Sequence, residues 1–197
     1  MAKLVYVMGA SGSGKDSLLD ALRNKLPQGL LVAHRYITRA AQAGAENHVA
    51  LSLDEFQLRK SRQLFALDWQ AHQTHYALGI EIDLWMQQGF TVVVNGSRAH
   101  LAQAEARYGS SLLAVCLHVS TEVLAERLEA RGRESPSEIQ QRLRRASEYQ
   151  HSLPANCHRL NNDGCLQETL TELLSFLGER ATCAIPLDGY PLAMPRN

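Results

Sequence analysis

The alternation of short apolar runs with helical patterns along 197 residues predicts an α/β fold with a parallel core sheet. Two of those runs, Phe90–Val94 and Leu112–Val119, read as strands buried on both faces, which a sheet covered by helices requires. The third observation is the stretch Gly9-Ala10-Ser11-Gly12-Ser13-Gly14-Lys15-Asp16-Ser17. It follows the apolar run Leu4–Met8 and precedes Leu18, Leu19, Leu22 and Leu26 at helical spacing. Strand, glycine-rich loop and helix, in that order, is the setting of a phosphate-binding P-loop.

Each element can be justified in turn. Lys3–Met8 is the first strand, and a helix runs from Lys15 to about Leu26, where Pro27 and Gly29 end it. Leu30–Ala33 is a short strand that delivers His34-Arg35-Tyr36-Ile37-Thr38-Arg39. Ala40 to Leu51 lacks periodicity and reads as a loop or flap. Ser52-Leu53-Asp54-Glu55 is a capping box opening a helix to about Lys60. Leu64–Trp69 and Thr74–Ala77 are strands of a small excursion. Gly79 starts a helix with Ile80, Leu84 and Trp85 or Met86 on one face, closed by Gln87-Gln88-Gly89. After the strand Phe90–Val94 come Asn95-Gly96-Ser97-Arg98 and a helix over about Leu101–Arg107. Ser120 or Thr121 caps a helix that stops at Arg131-Gly132-Arg133. Ser135-Pro136-Ser137-Glu138 then starts another, with Ile139, Leu143 and Ala146 inward. Cys157–Leu160, the turn Asn161–Gly164 and the helix Leu166–Leu177 complete the core, and a proline-bearing tail follows.

Composition narrows the function classes. Lys+Arg equals Asp+Glu, so a broad nucleic-acid or membrane surface is not expected. No apolar run reaches the ~20 residues of a membrane span, and no leader pattern precedes the first strand, so a cytoplasmic protein is expected. Cys116, Cys157, Cys165 and Cys183 form no C-x-x-C pair and no zinc spacing. Arg outnumbers Lys sixteen to four, and guanidinium groups suit bidentate phosphate recognition.

The P-loop assignment rests on chemistry. Glycines let backbone N–H groups ring an anion, and the helix behind adds its positive end. Lys15 brings a charge to the β/γ-phosphates. Gly9, Ala10, Ser11, Gly12, Ser13, Gly14, Lys15, Asp16 and Ser17 are therefore the nucleotide-binding candidates. The position after Lys15 ordinarily holds Ser or Thr for Mg²⁺. Here it is Asp16, with Ser17 behind it, so both are metal candidates.

Six arginines fall between Arg127 and Arg145, and Arg131, Gly132 and Arg133 sit in a break between two helices. Such a hinge can swing guanidinium groups over transferring phosphates. Arg131, Arg133 and Arg142 are expected in this lid, with Lys15, Arg131 and Arg142 catalytic. Arg35 and Arg39 lie opposite, placed to hold an acceptor phosphate. The expected partition is one domain, 1–180. Its core is 1–34, 90–127 and 150–180, its acceptor-binding region 35–89 and its lid 128–149. A tail spans 181–197.

The P-loop, Thr38-Arg39, Tyr76 and the run Arg131-Gly132-Arg133…Ile139…Arg142-Leu143…Ala146 resemble guanylate kinases across most of residues 3–177. Narrower strings resemble the ribose 1,5-bisphosphate phosphokinases of phosphonate breakdown. They are Gly14-Lys15-Asp16-Ser17, His34–Arg39, Glu46-Asn47-His48, Glu81–Trp85, Val94–His100 and Leu160–Gly164. The resemblance implies a three-layer α/β/α P-loop NTPase fold of guanylate kinase type. It also implies ATP and Mg²⁺ as cofactors, and conversion of ribose 1,5-bisphosphate to 5-phosphoribosyl 1-diphosphate. The acceptor residues it implies are Arg35, Arg39, His48, Tyr76, Asn95 and Arg98. Where guanylate kinases carry a second Arg, a Tyr and an Asp-x-Asp, this chain has Gln42, His48 and Asn95-Gly96-Ser97. Asp68 stands near the carboxylate that guanine recognition needs, so a guanylate or other nucleoside monophosphate kinase is the competing reading. A non-catalytic guanylate kinase-like binding module is the third. The implied partners are a small sugar phosphate and ATP, and the sequence leaves a homodimer open. If Asp16 serves the metal, the neutral Asn95 at the neighbouring strand end is its counterpart.

Overall fold

The computed structural model describes residues 2–25, 27–41, 46–71, 73–132, 135–151 and 156–180. The strands are β1 Leu4–Gly9, β2 Leu30–Val32, β3 Arg35–Ile37, β4 Val49–Ala50, β5 Phe65–Ala71, β6 Thr74–Gly79, β7 Thr91–Asn95, β8 Leu112–His118 and β9 His158–Asn161. The helices are α1 Lys15–Lys25, α2 Leu53–Ser61, α3 Glu81–Gln87, α4 Leu101–Tyr108, α5 Thr121–Arg131, α6 Pro136–His151 and α7 Leu166–Arg180.

The core sheet runs β2-β7-β1-β8-β9, every pair parallel. β1 lies at its centre and alternates between two apolar layers. Leu4, Tyr6 and Met8 face Ile82 of α3, Leu101 and Ala104 of α4, and Leu67, Trp69 and Leu78 of the second sheet. Val5 and Val7 face Leu18, Leu19 and Leu22 of α1 and Leu170, Leu173 and Leu177 of α7. Burial on both faces explains why these strands read as continuous apolar runs.

The second sheet runs β4-β3-β6-β5, with β6 antiparallel to both β3 and β5. Here the structure departs from the sequence expectation. Residues 35–37 do more than trail from the end of β2. They are a strand, because Tyr36 and Ile37 pair with Ala77 and Tyr76. Leu84 is also not inward: it is exposed, and Ile82 fills the core instead. The helix begins at Glu81, which turns positions 82, 85 and 86 toward the sheet.

The terminal signals hold. Ser52 Oγ accepts from Glu55 N and Ser120 Oγ from Val123 N. At α6, Ser135 N donates to Glu138 Oε2 at 2.7 Å while Glu138 N donates back to Ser135 Oγ. Gly132 ends α5 at φ 61°, a left-handed cap suited to glycine. Val119, Leu124, Leu128, Ile139 and Ala146 form a small apolar cluster between α5 and α6, and Ala10 of the P-loop packs against it.

Candidate active site

Because all core strands are parallel, the loops after β1 and β7 open at the same edge, and the second sheet reaches the same place. A cavity of about 770 Å³ lies there. Its walls carry Gly9, Ser11, Gly12, Gly14, Lys15, Asp16 and Ser17 on one side and Arg35, Arg39, Tyr76, Asn95 and Arg98 on the other, with Glu138 and Arg142 of α6 above.

The nucleotide side is built from backbone. Gly12 and Gly14 have φ of 90° and 91°. A Cβ on Gly14 would fall 2.5 Å from Asn162 Nδ2, so the position admits only glycine. Asn162, buried at the end of β9, donates to Ser13 O at 2.7 Å and accepts from Thr169 Oγ1 at 2.8 Å. Lys15 Nζ folds back onto the carbonyls of Gly9 and Ala10 at 2.8 and 3.0 Å. Burial lowers its pKa to about 8, against the pull of the Asp16 charge. The buried Ser13 hydroxyl has no hydrogen-bond partner among the described residues. A ring of backbone and a desolvated ammonium fit a polyphosphate.

Asp16 opens α1 and lines the cavity; Asn95 Nδ2 donates to its Oδ1 at 3.1 Å. Burial raises the Asp16 pKa, and the nearby Glu46 charge raises it further. A carboxylate held beside the loop, with Ser17 exposed next to it, is a donor set that fits Mg²⁺.

The acceptor side is built from charged side chains. Glu46 takes Arg35 in a bidentate pair at 2.6 and 2.5 Å, and Asn95 Nδ2 donates to the same carboxylate at 3.3 Å. Arg39 Nη2 stands 3.8 Å from it. Burial would raise the Glu46 carboxyl, but the Arg35 hydrogen bonds and charge outweigh that and hold it below the ordinary range. Asn95 itself is fixed by the turn behind it. Tyr6 Oη donates to Ser97 O and accepts from Ser97 N, at 3.0 and 2.9 Å. Gly96 lies so close to that ring that a Cβ would come within 2.3 Å of it.

The structure thus gathers most of the expected residues, with corrections. Ala10 and Ser13 support the loop without lining the cavity. Arg35 is neutralised by Glu46, so it is not a free phosphate ligand. His48 is buried, its ring nitrogens engaged by the carbonyls of Glu46 and Arg39, and it does not reach the cavity. Asp68 pairs with Lys60 outside the cavity, which removes the carboxylate that the guanine reading needed. Arg142 Nη1 donates to Ser11 Oγ at 3.3 Å. Arg133, Gln42 and the 181–197 tail lie outside the described residues, as does the Arg131 side chain. Sequence reasoning missed Glu46 and Asn162 as site residues. The signal for Glu46 was a lone acid in a stretch otherwise poor in charge, downstream of two arginines. For Asn162 the signals are a turn motif and its place in the family-like string Leu160–Gly164, neither of which ties it to the phosphate loop.

A family profile described as an AAA domain matches residues 5–150. A ribose 1,5-bisphosphate phosphokinase PhnN of Yersinia pestis is 56% identical over 191 residues, 97% of this chain and 99% of the relative. The enzyme of that name from Dickeya zeae is 62% identical over 170 residues, 86% and 90% of the two chains. The chain belongs to the ribose 1,5-bisphosphate phosphokinase family. Its fold is also that of a solved guanylate kinase from Anaplasma phagocytophilum, at a TM-score of 0.70 and 16% identity, covering 92% of this chain and 86% of the other. This chain therefore shares the guanylate kinase fold. Among the described residues, no helix is long and apolar enough to cross a membrane.

Proposed function

We propose that this chain transfers the γ-phosphoryl group of ATP to the anomeric phosphate of ribose 1,5-bisphosphate, giving 5-phosphoribosyl 1-diphosphate and ADP. The observation that carries the proposal is the single cavity joining the phosphate loop to a wall bearing Arg39 and Arg98. Two anionic substrates can meet there, and the names of full-length relatives supply the sugar.

Phosphoryl transfer asks the protein for positioning and charge neutralisation. The acceptor oxygen is already anionic at neutral pH, so no general base is required. Lys15 leaves its two carbonyls for the β/γ-phosphates. Arg142, already at the loop's edge, neutralises charge on the transferring group, with Arg131 assigned beside it. Asp16 and Ser17 would hold Mg²⁺, which when bound offsets charge on the phosphate oxygens. Arg39 and Arg98 hold the acceptor's phosphates. The working unit is 1–180, with 35–89 binding the acceptor and 128–149 serving as lid.

An assay with ATP, Mg²⁺ and either ribose 1,5-bisphosphate or GMP tests the reading. Turnover of the sugar and not of GMP is expected; the reverse makes the chain a nucleoside monophosphate kinase.

A further inference from the structure

Trp69 on β5 and Tyr76 on β6 are directly paired across the second sheet. Their rings stack with centroids 5.8 Å apart and planes 10° apart, and both line the acceptor half of the cavity. A flat aromatic floor beside a phosphate site is a surface on which a planar base stacks. That floor is covered. The Arg35 guanidinium carbon lies 4.9 Å from the Tyr76 ring centroid and 5.9 Å from that of Trp69.

Glu46 holds it there through the bidentate pair, and Asn95 holds Glu46 from the other side. The Arg35 and Glu46 side chains are only 13% and 9% exposed. Withdrawing either would leave a buried charge uncompensated, so a ligand cannot push the pair aside cheaply.

We propose that the Arg35–Glu46 pair is a selectivity plug. It fills the space over the Trp69–Tyr76 floor, so the acceptor site admits a compact, non-aromatic sugar phosphate and refuses a nucleoside monophosphate. The inference rests on the acceptor assignment above. It makes Arg35 and Glu46 specificity residues, and leaves phosphate binding to their neighbours.

The test is equilibrium binding of GMP and of ribose 5-phosphate, read by tryptophan fluorescence with a non-hydrolysable ATP analogue present. In the wild-type protein GMP should bind at least about tenfold more weakly than ribose 5-phosphate. The variant Arg35→Ala/Glu46→Ala removes both charges together and bares the floor. Its GMP affinity should rise about tenfold or more, with ribose 5-phosphate changing by less than about threefold. Arg35→Met/Glu46→Gln keeps the bulk while removing both charges and should still refuse GMP. Unchanged GMP affinity in the double variant overturns the plug. So does wild-type GMP binding as tight as that of ribose 5-phosphate, an arm that stands even if the double variant does not fold. Absent turnover of ribose 1,5-bisphosphate would sink the functional reading instead. The GMP comparison needs no turnover and still decides the plug.

Discussion

The two walls of the cavity are made by different means. The nucleotide wall is one continuous stretch, residues 9–17, shaped by positive-φ glycines and backbone hydrogen bonds. The acceptor wall is assembled from β3, the segment around Glu46, β5, β6 and the turn after β7, and it is held by side-chain charge. Backbone can bind a triphosphate in any protein that folds the loop. On the proposed reading, side chains drawn from several segments choose the acceptor. That reading places triphosphate binding on one side and selectivity on the other.

The largest expected effect breaks the nucleotide wall. Lys15→Ala should lower turnover by about 10³-fold or more with an unchanged circular dichroism spectrum. Full activity would remove Lys15 from the chemistry. On the other wall, Arg39→Ala should raise the acceptor KM by about tenfold or more while moving the ATP KM by less than about threefold. Steady-state kinetics with each substrate varied separately reads this, and equal effects would erase the division between the walls.

A gentler test uses pH. Burial favours the neutral form of Lys15 in the nucleotide-free protein, with a pKa of about 8. A triphosphate binds the ammonium, so below that value the site is ready, and above it the proton must be regained on binding. The nucleotide Kd should be flat near neutrality and rise by up to about tenfold per unit above pH 8, as calorimetry can show. Lys15→Ala should abolish that rise. The smallest effect is at the lid. Ser135→Ala removes one half of the α6 capping box and should cost about 1 kcal/mol of helix stability. Thermal denaturation and ATP KM would both shift slightly, the acceptor KM not at all.

The contrast between the walls also explains what was legible in the sequence. The P-loop, the caps at Ser52, Ser120 and Ser135, and the buried parallel strands are readable because each signal is local: glycine spacing, a serine opening a helical pattern (with an acid three residues on at Ser52 and Ser135), an apolar run. Arg35 was read as a phosphate ligand because an arginine carries no mark of its partner. Glu46, eleven residues on, neutralises it only after the chain folds back. His48 was misplaced for the same reason, since its two carbonyl partners are set by loop geometry. Leu84 reads as inward because it lies four residues after Ile80, but Ile80 only caps the helix and Ile82 takes the inward position.

Asn162 ties the phosphate loop to a distant part of the chain. The group that clasps Ser13 lies 149 residues further along. It follows directly after β9, which pairs with β8, and is itself held by Thr169 of α7. The shape of the loop is therefore coupled to the docking of β9 and α7. Loosening either element would release the clasp, so the stability of that edge of the sheet is also the stability of the nucleotide loop.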